Sequence, residues 1–206
     1  VALNVKMNMR LLETPGVEGL FAQPLCSDGG AAAGAALALS HRLTGNRPAP
    51  LRSLALGPEE SPESIESELR ACGIHYRRVA DPAEAVAEKL AAGRIVGWFH
   101  GRMEAGPRAL GQRSILASPS VRGIADRINR AIKYREPWRP FCPSLPAEDA
   151  EQYLERFSEP SFMNVCFRAR PRLAEVAPEV VHVDGTARAQ LVRAECAPLL
   201  HRLLRA

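Results

Sequence analysis

The apolar run IVGWF, residues 95–99, ends abruptly at His100 and opens into a loop rich in glycine, proline and arginine, GRMEAGPRALGQRSIL. A short apolar strand that feeds directly into such a loop is the arrangement of an open α/β sheet, where ligands gather at strand ends. Helical and strand patterns alternate on both sides of it, which predicts an α/β fold of the mixed α+β kind. Gly106, Pro107 and Gly111 bend the loop and can bring amide N–H groups close to a bound anion.

The charge is concentrated in the same stretch. Residues 94–139 hold ten basic and three acidic side chains, whereas the whole chain holds 27 and 23, leaving 17 basic against 20 acidic elsewhere. Arg102, Arg108 and Arg113, followed by Lys133, Arg135 and Arg139 in IKYREPWRPF, offer planar forks and a point charge to a small polyanion. A nucleic-acid binder usually spreads its basic surface and interleaves aromatics, which are only 5% of this chain, so nucleic acid ranks second. The plain alternative is that these arginines pair at the surface with Glu104, Asp126 and Glu136. Arg127 and Arg130 are expected at the surface, because they alternate with the stripe Ile124, Ile128, Ile132.

Along the chain, VALNVKMNMRLLE reads as a helix already under way at Val1, residues 19–24 as a strand, and residues 30–43 as a helix closed by Gly45. A proline-rich polar bridge over 47–64 separates an expected unit 1–57 from a second unit 58–206. SIESELRACG predicts a helix stopped by Gly73, and IHYRRVA a strand. Asp81-Pro82-Ala83-Glu84 predicts a capped helix start that runs to Gly93. The isoleucine stripe predicts one helix delivering Lys133, with Pro137 ending it. Prolines 137, 140, 143 and 146 predict an extended, stiff segment that holds Arg135 and Arg139. The tail PLLHRLLRA stops without a cap, and together with the opening helix this suggests a chain cut at both ends. The longest apolar run, Ala31 to Leu39, is far below a membrane span, and the expectation is a soluble, cytoplasmic protein. Five cysteines without a C-x-x-C pair are expected to be reduced thiols.

The strings VALNVKMN, SDGGAAAGAAL, GRMEAGPRALGQRSIL, IKYREPWRPF and HVDGTARAQ, in this order, resemble the O-carbamoyltransferase family of nodulation-factor and antibiotic biosynthesis. The resemblance runs from Val1 to about Val192 and covers only part of a family member. It implies that 1–57 is the tail of a domain of the actin, heat-shock chaperone and sugar-kinase type, similar to the threonylcarbamoyl-transfer enzyme of tRNA. It also implies that 58–206 is a YrdC-like domain, incomplete at its C-terminus. The implied partners are carbamoyl phosphate, ATP and a small-molecule hydroxyl acceptor, and the implied reaction runs through a carbamoyl adenylate. Such substrates crowd negative charge together, and arginines relieve the repulsion.

By the same resemblance, Arg108 of GPRALG, Lys133 of IKYRE and Arg188 of DGTAR hold carbamoyl phosphate and the adenylate. Arg113, Ser114, Arg135 and Arg139 assist as binding residues, and Asn4 follows the place of a phosphate-binding Gly-Gly. Their implied role is positioning and electrostatic stabilisation without a protein nucleophile. Asp28 has two readings. Its place before a glycine-rich helix start suits an N-cap. The resemblance instead implies a ligand to a divalent, iron-type metal, completed by two histidines outside this chain. Ala105 and Gln112 depart from the family's common phenylalanine and asparagine. The chain also stops before an Asn-Thr-Ser-Phe-Asn-like segment that gives the adenylate pocket a serine, so feeble activity is expected of it alone. Two alternatives stay open: an enzyme related to tRNA threonylcarbamoylation, and a non-catalytic nucleotide- or nucleic-acid-binding module with salt-sensitive binding.

Overall fold

Helix α1 (Val5–Glu13) starts where the sequence offers an amide acceptor: Asn4 Oδ1 takes the amides of Lys6 and Met7 at 3.1 and 3.0 Å. The helix expected from Val1 therefore begins at Val5. Three longer-range landmarks follow, α2 (Asp28–Thr44), α3 (Pro62–Ala71) and α4 (Pro82–Ala91). Their ends run into Gly45, Gly73 and Gly93, all at positive φ, which is the expected stop. At the start of α4, Asp81 caps the amides of Ala83 and Glu84 and Pro82 takes the first position. The computed structural model describes residues 1–159 and 162–206.

Two expected strands are absent. Residues 19–24 pair with no strand; the Leu20 and Ala22 carbonyls instead accept from Ser158 Oγ and Asn164 Nδ2. Residues 74–80 form no ladder either, and the ends of Tyr76 and Arg78 tie back to Glu66 of α3. In both places a neighbouring strand is missing: at 19–24 side chains meet two of the carbonyls, while 74–80 is exposed and its backbone faces water.

Among the described residues the strands that do form make three small sheets. β1 (Val96–Phe99) and β2 (Arg113–Leu116) pair antiparallel, with Phe99 opposite Arg113, so the arginine loop is the connection of a hairpin. β3 (Ser144–Pro146) runs parallel to β7 (Gln190–Val192). β4 (Leu154–Glu155), β5 (Phe167–Ala169) and β6 (Thr186–Ala187) form an antiparallel trio in that order.

The isoleucine stripe does not make one helix. α5 (Ile124–Ile128) gives way to a wider π turn over Asn129–Lys133, which ends at Tyr134 with φ 47°. Ile124 and Ile128 are buried, while the extra residue per turn swings Ile132 out to the surface. Short helices α6 (Ala150–Tyr153), α7 (Pro171–Val176) and α8 (Pro198–Arg205) complete the fold.

Leu12 of α1 packs in the main core with Leu145, Leu154, Phe167, Leu173 and Leu191. Each such side chain contributes roughly 1.5–3 kcal/mol when fully buried. A second cluster joins Ala83 of α4, Trp98, Val192, Leu200 and Leu203. The segment Leu54–Pro58 lies along Met103–Ala105, through Gly57 N to Met103 O at 2.9 Å and Ala105 N to Leu54 O at 2.7 Å. No residue of α2 is buried. Among the described residues, no helix is long and apolar enough to cross a membrane. The result is a mixed α/β architecture built on small sheets.

Candidate anion-binding site

The hairpin loop is closed by a carboxylate to which the sequence gives no role beyond the alternative of a surface ion pair. Glu104 is buried, and its Oε1 accepts the amides of Leu110, Gln112 and Arg113 at 2.7, 2.9 and 3.2 Å. Burial pushes this carboxyl up, yet the amides outweigh burial and leave it below the ordinary carboxylate value. One acid at the start of the loop thus gathers three amides from its end, with Arg108 on the span between. Gly111 sits at φ 102°, where a Cβ would meet Leu200 at 2.3 Å. Its amide donates to Ser114 Oγ at 3.0 Å, and its carbonyl accepts from Trp98 Nε1 at 2.8 Å.

Two expected binding residues belong to this scaffold. Ser114 holds Gly111. The Arg113 guanidinium lies 3.5 Å from the Phe99 ring centroid and donates to the carbonyls of His100 and Gly101 at 3.0 and 3.1 Å. Both keep the loop's shape.

Arg188 contacts Cys142, Arg108 and Arg135 lie within electrostatic reach of it, and Arg139 lies within reach of Arg135. Arg188 Nε donates to Cys142 Sγ at 2.8 Å. Burial pulls the Arg108 guanidinium below its ordinary value, and the positive charge of Arg188 adds to this. Arg135 is lowered by burial, then by the charges of Arg139 and Arg188. Arg135 also bonds Asn129 Oδ1 and lies 4.5 Å from the Phe141 ring centroid, which orients it. Among the described residues, no carboxylate forms a salt bridge with Arg108, Arg135 or Arg188, and Arg139 meets only the exposed Glu136 at 3.9 Å. Arg108 Nε is closed off from water and has no partner. Guanidiniums held together without a countercharge repel one another, and a multi-oxygen anion removes that repulsion while filling their donors.

Lys133, the last residue of the π turn, is exposed and makes no hydrogen bond or ion pair among the described residues. Arg130 pairs with Asp126 at 2.9 Å and Arg127 reaches the Gly93 carbonyl, both on the surface as expected. No pattern marks Cys142 in the sequence; only the fold sets it under Arg188. All five cysteines are free thiols.

Asn4 stands apart from this cluster as the exposed cap of α1, with Oδ1 already engaged. The Asp28 cap reading is corrected: Ser27 takes the cap position and Asp28 is the first helical residue, exposed. Among the described residues, no group of three His, Cys, Asp or Glu could hold a metal ion. The residues present therefore offer one carboxylate and do not by themselves fit a metal.

A family model described as "Carbamoyltransferase C-terminus" matches residues 87–206. The chain is 42% identical over 199 residues to nodulation protein NolNO of Sinorhizobium fredii, covering 93% of this chain and 29% of that protein. It is also 42% identical to nodulation protein NolO of Bradyrhizobium diazoefficiens over 207 residues, 96% of this chain and 37% of that protein. A 3'-hydroxymethylcephem-O-carbamoyltransferase of Streptomyces clavuligerus is 34% identical over 203 residues, 98% of this chain and 37% of that protein. The chain thus spans about a third of the length of these curated relatives. The matched span of 87–206 contains the loop, the π turn and all four clustered arginines, and by that match the chain belongs to the carbamoyltransferase family.

Proposed function

We propose that this chain supplies the carbamoyl-activating part of an ATP-dependent O-carbamoyltransferase. Residues 58–206 act as a YrdC-like domain and residues 1–57 as the tail of a kinase-like domain. Carbamoyl phosphate, ATP and water give a carbamoyl adenylate with release of phosphate and pyrophosphate, and the carbamoyl group then passes to a hydroxyl of a sugar or natural product, releasing AMP. Arg108 and Arg188 hold phosphoryl oxygens, Arg135 and Arg139 close the other side, and Lys133 adds a mobile charge from the rim. These groups position the two anions and stabilise charge as phosphate leaves. Asp28 serves as one ligand of a divalent-metal site only with histidines from outside this chain, and no step here depends on it.

The observation that carries this reading is the grouping of Arg108, Arg135 and Arg188 around Cys142, with Arg139 beside Arg135 and Arg108 Nε buried and unpaired. Calorimetric titration with carbamoyl phosphate and ATP, separately and together, tests it. The wild-type chain is expected to bind. Arg108→Ala should weaken carbamoyl phosphate by at least about tenfold, since a hydrogen bond to a charged group is worth roughly 1.5–3 kcal/mol. Lys133→Ala, at an exposed position, should weaken it less. Equal binding by wild type and both variants would move the anion elsewhere. No binding at all would leave the arginines as ordinary surface charge.

A further inference from the structure

Residue 187 ends β6 and residue 190 opens β7 in another sheet, so Arg188 lies on the passage between two sheets. Ala187 and Ala189 are fully buried and join the main core with Leu191. Thr186 and Gln190, two residues to either side of Arg188, are buried polar residues, and each is tied to a different part of the molecule.

Thr186 Oγ1 accepts from Lys6 Nζ at 2.6 Å, donates to Asp184 Oδ1 at 2.7 Å and lies 3.1 Å from His182 Nδ1. A hydroxyl has one donor and two acceptor places. The donor goes to Asp184, and Lys6, His182 and the Cys166 thiol crowd the acceptor side. Lys6 also pairs with Asp184. These bonds fasten α1, at the start of the chain, to the strand two residues before Arg188. At the other end Gln190 Nε2 donates to the Leu110 carbonyl at 2.7 Å, and its Oε1 accepts from Ser144 Oγ at 3.0 Å. Leu110 lies two residues after Arg108, so Gln190 grips the loop that presents Arg108. Ser144 lies two residues after Cys142, the partner of Arg188. Both amide atoms of Gln190 are used in opposite senses, which fixes its orientation.

We propose that Thr186 and Gln190 are positioning residues that fix the separation of the Arg108 and Arg188 forks, so that the site selects an anion long enough to engage both. This rests on the anion-site reading above. Two forks share one ligand only when their spacing matches its oxygens, so a shift of either fork costs the hydrogen bonds at one end of the ligand. A phosphate held by a single fork feels no such constraint.

The selectivity ratio is the test. Pyrophosphate and orthophosphate are titrated by calorimetry into wild type, Arg188→Ala, Gln190→Leu, Thr186→Val and Thr186→Ser, with thermal melting of each protein. Wild type should prefer pyrophosphate. Gln190→Leu and Thr186→Val should lose about tenfold in pyrophosphate affinity, the equivalent of about 1.4 kcal/mol, with orthophosphate within about twofold. Thr186→Ser, which keeps the hydroxyl, should behave as wild type. Titration stoichiometry separates an unfolded fraction from a weakened site. An unchanged ratio, or equal losses for both anions, overturns the proposal and leaves the anion site standing if Arg188→Ala still loses pyrophosphate. Wild-type binding of neither anion, or full binding by Arg188→Ala, overturns the anion-site reading and this proposal with it.

Discussion

Asp184 has its carboxyl held down to about 2, from an ordinary value of 3.8, first by the hydrogen bond from Lys6 and then by that from Thr186. The folded state therefore binds its proton later than the unfolded chain. The stability this contributes is complete above about pH 4 and is lost as pH falls toward 2. Because both side chains are partly exposed, the contribution is small, below about 1 kcal/mol. The expected result is that wild type exceeds Asp184→Asn in melting temperature at pH 6 and that the gap closes between pH 4 and 2. Single-residue chemistry is legible where it depends on residue type: charge and spacing single out Arg108, Arg113, Lys133, Arg135 and Arg139, while Arg188 enters through the family resemblance. It was not legible where it depends on direction. Glu104 enters the sequence reading only as an alternative surface partner of the arginines, because nothing in the sequence shows that three amides of its own loop converge on it.

At the scale of elements, the arginine loop is a ring fastened by Glu104. Glu104→Ala would leave the buried amides of Leu110 and Gln112 without an acceptor, at about 1–3 kcal/mol each. Urea unfolding should show a loss of roughly 2–4 kcal/mol, whereas Glu104→Gln, which keeps a carbonyl oxygen for the amides, should lose less. Helix ends were legible because capping is local: Asp81, Pro82 and the glycines act on residues within four positions. Strands were legible only at residues 95–99, where β2 supplies partners that begin at Arg113, opposite Phe99. Residues 19–24 and 74–80 have apolar residues suited to strands but no neighbour, and a strand is decided by what lies beside it. The isoleucine stripe failed for a third reason, since a single π turn changes the period from within.

At the scale of the molecule, the sequence announced an α/β fold with its charge in one place, and both are present. What it could not show is how distant stretches combine. Segments 103–114, 129–142 and 186–190 meet at Cys142, and α1 is bonded to residues 184 and 186 nearly the whole chain away. These are long-range pairings whose selection depends on the packed core around Leu12, Phe167 and Leu191.

Helix α2 stands outside that packing, with seventeen residues and none of them buried. Its alanines favour helix, but a helix of this length held by propensity alone is only marginally formed in water. It therefore opens without disturbing anything else. Amide hydrogens of residues 32–44 should exchange with solvent at least about a hundredfold faster than those of β5, a difference hydrogen-exchange mass spectrometry resolves by peptide. The chain has two clocks: one set by global unfolding of the core, and a far faster one set by a helix that frays and re-forms on its own.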